Sequence, residues 1–591
     1  MKDKSCKFSY ISQIEALLTE DEKDMLKSIY APTVVATPLN DSRRDICIMP
    51  DGEIRSYGTL PFSNRGAYMS SRNAGLSWEL HYARGMVNSC TYFEDADIYI
   101  TQTDTYNNNN GLGQGLWVLR SKIGPDDPDP EVIHLSDDKF VDSYLPQKSA
   151  YSDRIWFTAQ CIDRKTDPLA PTAIGYFFYS DDYGKTWTRV KMPSLPEFEV
   201  VYPHKGLRWS KASGAEPYAI EISEDKMMMI IRSPHDSFYL SYSYDRGESW
   251  TEPEPSDFYG TNTTAQLLTL SDGRIMCFWN NTRPLAEPNH DLTLPPVRES
   301  VKIGASEDAF TNRDAAHAAI SEDGGKTFIG YREILLNPIR NNTDFRYVGG
   351  IASSNDKSVH QFQAFELPYG KILVSVGQHQ SSRRLLIFDI EWLYETEASE
   401  DFIQNALSCI TTHTYVKSVS DCQIARVGNG HCAWNRAPSA YLMPDPDGGY
   451  GEALSISKHH DERLINDIGG TTWNFPTSKR GIVSIEIKIV EKEARFILSD
   501  RWYNTCDPHA AIQSHFSFEL DKDVIGDGFA TVDIYYNTEK GFADVSSNGT
   551  HLLTLKMTNP CPVGISYLVL QCDTDGDSKG FYIKSLKKQL N

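Results

Sequence analysis

Ser180–Trp187 reads SDDYGKTW, Ser243–Trp250 reads SYDRGESW, Ser321–Phe328 reads SEDGGKTF and Ser71–Trp78 reads SRNAGLSW. All four fit S-x-D-x-G-x-[TS]-[WF], except that Asn73 stands in the first where the others have Asp. Such a stretch specifies a tight hairpin. The Asp side chain accepts backbone N–H groups inside the turn, the Gly takes a positive φ, and the closing aromatic packs beneath it.

Outward from each box the pattern turns to strands. YFFYS, YLSYS and HAAIS lead into three of the boxes, and LSDGRI (Leu270–Ile275) and LPYGKI (Leu367–Ile372) mark a second kind of turn between strands. The unit is therefore four-stranded. Box starts lie 109, 63 and 78 residues apart, the spacing of a unit of roughly 60 residues with insertions and one skipped box, which radial repetition of β-blades produces.

Three segments follow. Residues 1–30 are an N-terminal helical segment, with Ser12–Tyr30 read as one amphipathic helix whose apolar positions are Ile14, Leu17, Leu18, Met25, Leu26 and Ile29. Residues 31–395 carry the blades. Over residues 396–591 short β-rich runs such as IVSIEIKIV, ARFILSD, ATVDIYYN and ISYLVLQC, separated by Gly, Asp and Asn turns, predict a β-sandwich.

A formal charge of −22 over 591 residues excludes a protein built around a phosphate backbone, which needs clustered Lys and Arg. It does not exclude a small anionic substrate, because salt screens a distant charge within about 8–10 Å and a few converging arginines then decide. Neither a secretory h-region nor an apolar run of about 18 residues occurs, so a cytoplasmic chain without a membrane partner is expected. Eleven scattered cysteines without a CxxC pair fit reduced thiols. GHCAWNR (Gly430–Arg436) offers one His and one Cys, which is no ligand set. Neither metal nor cofactor is expected.

The four boxes are similar to the Asp-boxes of the sialidase superfamily. The chain resembles an all-β protein with a six-bladed sialidase-like propeller and a C-terminal concanavalin-like or jelly-roll sandwich. What the resemblance implies is an exo-acting glycoside hydrolase that releases a terminal sugar, sialic acid or another acidic or deoxy sugar, from an oligosaccharide or glycoconjugate. An arginine triad would grip the sugar carboxylate by bidentate bonds. A Tyr nucleophile with a neighbouring Glu, and an Asp acid, would serve the oxocarbenium-like transition state.

Residue by residue, GAEPYAIEISEDKMMMIIRSPHDSFYLSYSYDRGESW assigns Glu216 and Arg232, and FTNRDAAHAAISEDGGKTF assigns Arg313. The first-blade stretch lacks a Phe-Arg-Ile-Pro signature, leaving Arg43, Arg44 and Arg55 as candidates, of which Arg55 is carried as a substrate contact. Where a sialidase has its Tyr, SVHQFQAFELPYGKI has His360 and Gln361. The residue reading therefore gives His360 the role of base on water, Asp308 that of acid or base, and Glu216 the third catalytic place. Arg232, Arg283, Arg313, Gln361, His379 and Arg383 are the further substrate contacts. Two rivals stay open: a rhamnosidase-like glycosidase or a lyase using His360, and a propeller that binds sugar without turnover. Glu216 with Arg232 also reads as a structural ion pair, His317 as a satisfied sheet histidine, and Trp434, Trp473 and Trp502 as core or as sugar platforms. A homo-oligomer is left open.

Overall fold

The computed structural model describes residues 7–38, 45–57, 67–82, 89–103, 115–163, 172–196, 211–213, 215–233, 235–260, 263–283, 312–341, 344, 357–377, 382–403, 407, 410–419, 432, 434–458, 460–464, 466–491, 493–573 and 579–590. The helix expected over Ser12–Tyr30 is two helices, Ser9–Leu17 and Glu20–Ser28. The break has a local cause. Leu18 is extended, and Thr19 caps the second helix in a reciprocal pair with Glu22, which ends one helix and starts another. Ile14, Leu18 and Leu26 bury themselves against Ile46, Ile54, Leu373 and Leu385.

Six sheets follow, antiparallel but for one short parallel strand added to the third. Blade I holds Ile46–Ile48, Ile54–Tyr57, Ala67–Ser71 and Glu79–Tyr82, and blade II holds Thr91–Phe93, Ile98–Thr103, Leu116–Ser121 and Glu131–Ser136. Blade III is built on Gln147–Lys148, Ile155–Asp163, Thr172–Ser180 and Thr188–Lys191, with Phe140–Ser143 and Lys211–Ser213 added to it. Blade IV holds Ala215–Glu221, Met227–Arg232, Ser237–Ser243 and Glu254–Tyr259, and blade V holds Gln266–Thr269, Ile275–Trp279, Ala315–Ser321 and Ile329–Leu336. Blade VI takes Gln363–Leu367, Lys371–Val376 and Arg384–Asp389 from one part of the chain and its outer strand, Thr33–Val35, from the N-terminal part. Thr33 faces Ile387 and Val35 faces Leu385 in that pairing, so the ring is closed by hydrogen bonds and blade VI ends on a short edge strand.

Each junction between neighbouring blades has its own apolar filling. Tyr57 and Tyr68 meet Tyr99 between blades I and II, Val118 meets Phe157 between II and III, and Phe177 meets Met229 between III and IV. Ile230 meets Cys277 between IV and V, Phe278 meets Val374 between V and VI, and Leu385 meets Ile54 between VI and I. Six such wedges make a six-bladed ring.

The four boxes sit where the third strand of a blade turns into the fourth. In the copy at Ser243–Trp250, Gly247 N–H donates to Ser243 Oγ at 2.7 Å and Ser249 N–H to Asp245 Oδ1 at 2.9 Å, while Trp250 Nε1–H donates to Gly247 O at 3.2 Å. Gly247 has φ 93°. Every contact lies within eight residues of chain, so the turn is fixed locally. Since third strands run toward the boxes, the opposite rim, here called the mouth, gathers the starts of first and third strands and the ends of second strands.

The C-terminal third is a β-sandwich. One sheet runs Tyr441–Pro444, Glu452–Ile456, Phe581–Gln589, Arg480–Ile489, Ala530–Asn537, Phe542–Ser547 and Thr550–Lys556; Ala398–Glu400 also pairs with Phe581–Gln589. The other runs Ile410–Thr411, Gly469–Ser478, Ile565–Cys572, Ala494–Ser499 and Phe516–Leu520. Trp473, Phe475, Val483, Ile485, Phe496, Val532 and Leu568 fill the space between them. Burial of apolar surface on this scale dominates the stability of such a domain. Trp434, Trp473 and Trp502 are all buried, which makes them core and not sugar platforms. No described helix is long and apolar enough to cross a membrane.

Candidate functional site at the propeller mouth

Glu216 opens blade IV in an unusual backbone. The ladder to Met227–Arg232 shifts register between Ala215 and Tyr218, and Glu216 takes φ 40°. A bulge and a left-handed residue re-aim a side chain and cost energy that the surroundings must hold. What holds Glu216 is Gln160, whose Oε1 accepts its N–H at 3.1 Å, and the Arg232 guanidinium, bonded to Oε2. Its Oε1 accepts Nε2–H of Gln361 at 3.4 Å, and Gln361 is itself left-handed, with φ 62°.

From Gln361 the network continues around the mouth. His360 Nε2 lies 2.7 Å from Nη1 of Arg313, and His360 Nδ1 lies 2.6 Å from Ser358 Oγ. A guanidinium only donates, so Nε2 accepts and the ring proton is on Nδ1, facing Ser358. Beyond, Gly377 N–H donates to His360 O at 2.6 Å, and an added Cβ on Gly377 would lie 2.6 Å from the Arg383 Cα. Arg383 grips Asp45 with both arms, at 2.6 and 3.1 Å, and Ser56 donates to the same carboxylate. Burial, outweighing the Arg383 charge beside it, holds the Asp45 carboxyl above the usual carboxylate range. Glu216, Arg232, Arg313, His360, Gln361, Arg383 and Asp45 are all buried.

The structure thus brings together Glu216, Arg232, Arg313, His360, Gln361 and Arg383, and it corrects three assignments. Arg55 lies on the box side of blade I, bonded to Glu53 at 2.6 Å and to Tyr57 at 3.1 Å. It is no part of the mouth, because it lies at the box-side start of its strand and alternation puts it on one face with Glu53 and Tyr57, which hold it. Arg283 reaches across to Gln513 at 2.8 Å and lies 3.6 Å from Asp236, so it belongs to the seam with the sandwich. His360 is no base on water as placed, since the nitrogen that would take the proton already accepts from Arg313. Asp308 and His379 lie outside the described residues. Asp45 was missed: it stands in the very stretch that lacks the expected arginine, and only its pairing with Arg383, 338 residues away, marks it.

The seam below blade V is a second polar chain. Asn281 N–H donates to His317 Nδ1 at 3.0 Å, His317 Nε2–H to Tyr567 Oη at 2.6 Å, and Tyr567 O–H to Glu333 Oε2 at 2.9 Å. Burial pushes His317 down to about 3 and Glu333 up to about 7, so the imidazole is neutral, as a satisfied sheet histidine should be. Among the described residues Asp500, His515 and Cys561 place ligand atoms within 4.8 Å of one another. Asp500 is bonded there to Arg501 at 2.8 Å, and His515 Nδ1 to Asn559 O at 3.0 Å. That set is an ion-pair network, not a metal cage.

Residues 148–377 match the family described as a BNR repeat-like domain. No curated protein matches the chain. Among solved structures, a Trypanosoma rangeli sialidase in complex with sialic acid is similar at 11% identity over 96% of this chain and 95% of that one, with a TM-score of 0.34. A protein of unknown function from Dyadobacter fermentans is similar at 16% identity over 61% and 98%, with a TM-score of 0.37. The NanB sialidase from Streptococcus pneumoniae is similar at 10% identity over 64% and 73%, also with a TM-score of 0.37. The six wedged blades and the box hairpins carry the fold without help from these likenesses. The match over residues 148–377 shows a BNR repeat-like domain within the chain, and the four Asp-box hairpins and the closed ring of six blades show the propeller that carries it.

Proposed function

We propose that the protein is an exo-acting glycoside hydrolase whose substrate sugar sits in the propeller mouth and carries a carboxylate. The observation behind this reading is the convergence of Arg232, Arg313 and Arg383, from the mouth ends of blades IV, V and VI, on a rim that also holds Glu216 and Asp45. Guanidinium groups in a buried setting suit a planar carboxylate. Glu216 supplies negative charge to the oxocarbenium-like state, and Asp45, held above its usual range by burial, is the described carboxyl best suited to donate a proton to the leaving oxygen. With Gln361 at the Tyr position, an amide cannot serve as nucleophile, so water attacks the anomeric carbon directly, giving its proton to the Glu216 carboxylate as Asp45 protonates the leaving oxygen.

One feature favours a different reading, a propeller that binds sugar without turnover: Glu216 and Asp45 are each paired with an arginine, as in a structural ion pair. Hydrolysis of aryl glycosides of sialic, glucuronic and galacturonic acids and of rhamnose and fucose separates the two. Release of one acidic sugar, lost by about a hundredfold or more in Glu216→Gln and Asp45→Asn, the scale of an acid–base group, supports the hydrolase. Binding of an acidic sugar with no release of any supports the lectin-like reading. Neither binding nor release removes both.

A further inference from the structure

The C-terminal domain meets the mouth at, among other places, a hairpin in which His413–Val419 pairs with Trp434–Pro438. Its side chains fall on two consecutive residues of blade V. Tyr415 donates its phenol proton to Asp314 Oδ2 and Arg436 Nη2 donates to Asp314 Oδ1. Cys432, two residues ahead of Trp434, accepts the Arg313 N–H on its Sγ at 3.1 Å. His413 Nε2 lies 3.4 Å from Asp314 Oδ2, and Asn337 Nδ2–H donates to Oδ1 at 3.0 Å. The side chains of Asp314 and Arg436 are wholly enclosed, and the Arg436 guanidinium, against the cost of burial, leaves Asp314 far below the usual carboxylate range. The hairpin is further tied to the propeller by Arg436 N–H to Arg340 O at 3.1 Å and by Lys357 Nζ to Asn435 Oδ1 at 3.0 Å.

These contacts matter because Arg313 is fixed by its backbone as well as by its head. Its N–H is held by the hairpin, and its carbonyl accepts the N–H of Val359 at 3.0 Å, the residue next to His360. Movement of the hairpin therefore moves the Arg313 main chain relative to the ring that orients its guanidinium. A misplacement of about 1 Å in a positioning group is enough to cost orders of magnitude in a site that works by geometry.

We propose that this hairpin is part of the sugar site: Tyr415, Cys432 and Arg436 are positioning residues that, through Asp314 and the Arg313 main chain, aim the Arg313 guanidinium at a sugar carboxylate. The inference rests on the mouth being a site for an acidic sugar. It assigns to the C-terminal domain a share in recognition, where a sandwich of this kind would otherwise be a separate buttress.

The test is calorimetric titration of the full chain with N-acetylneuraminic acid and glucuronic acid, and with the methyl ester of each as the uncharged probe. Wild type, Arg313→Ala, Tyr415→Phe, Arg436→Lys and Cys432→Ala are compared. Arg313→Ala loses the acid. Tyr415→Phe and Arg436→Lys weaken the acid about tenfold, or about 1.4 kcal/mol, and leave the ester within about twofold. Cys432→Ala, which removes only a main-chain acceptor and keeps the Asp314 cluster, weakens the acid by about threefold and decides the matter if the other two fail to fold. Hairpin variants that keep the wild-type affinity for the acid, or that lose acid and ester alike while Arg313→Ala loses the acid alone, overturn the inference and leave the proposed site standing. A wild type that binds neither acid removes the proposed site, and the hairpin's role with it.

Discussion

The Arg313 guanidinium donates to Nε2 of His360 at 2.7 Å, and Ser358 holds the other ring nitrogen at 2.6 Å. The two residues come from blades V and VI, and their bond fixes the histidine as a neutral acceptor. His360→Ala should leave a buried guanidinium donor without its acceptor, at a cost of about 1–3 kcal/mol in urea unfolding. His360→Gln, whose side-chain oxygen can still accept, should recover about half of that. Equal losses in the two variants would mean that ring packing and not the hydrogen bond carries the effect.

Glu216 and Arg232 form a buried pair. Removing one partner strands the other charge, so Glu216→Gln and Arg232→Met should each destabilise the fold by about 3–5 kcal/mol, and the double variant by clearly less than the sum. Thermal and denaturant unfolding of the three variants measure this directly. Strict additivity would show that the pair is not coupled in solution.

Asn73 in the first box has a reason in the tertiary structure. Its Nδ2–H donates to Ser77 Oγ at 2.8 Å and to Glu22 Oε1 at 3.1 Å, while its Oδ1 accepts the Ser77 N–H as the Asp of the other boxes does. A carboxylate there would face the Glu22 carboxylate of the second N-terminal helix. Asn73→Asp should therefore cost about 1 kcal/mol at low salt, less at high salt, and Glu22→Gln in the same chain should restore it. A neutral or stabilising Asn73→Asp would show that Glu22 does not constrain the box.

Glu333 is raised to about 7 by burial while it accepts from Tyr567. Its folded state binds the proton more tightly than the unfolded chain, so its contribution is full below the unfolded value of about 4.3 and is lost as pH rises to about 7. The whole shift would be worth about 4 kcal/mol; the residue is only partly buried, which reduces this to about 2 kcal/mol. Unfolding free energies from pH 4.5 to 8 should fall with pH more steeply in wild type than in Glu333→Gln. Parallel curves would mean that the carboxyl ionises freely in the folded protein.

The propeller was legible because a box is complete within eight residues: Ser243, Asp245, Gly247 and Trp250 satisfy one another wherever the hairpin lies. The same local logic failed at Leu18 and Thr19, where a continuous apolar stripe masked a capping pair that divides the helix. In the mouth, Glu216 and Arg232 were readable from the resemblance of their stretch to a sialidase blade, and Arg313 from its place ahead of a box. Arg55 and Arg283 were not, since a strand's sequence does not say which rim a side chain meets once neighbouring blades wedge against it.

By itself the sequence determined the all-β repeat, the four box hairpins and the change to a sandwich, because each follows from contacts between near neighbours and from strand alternation. Only the tertiary structure decided that Thr33–Val35 closes the ring, that Asp45 meets Arg383, that His360 accepts from Arg313 and that Tyr415 and Arg436 converge on Asp314. Those partners lie between 47 and 354 residues apart. Their pairing depends on how six blades close and where the sandwich docks, and no local pattern encodes that geometry.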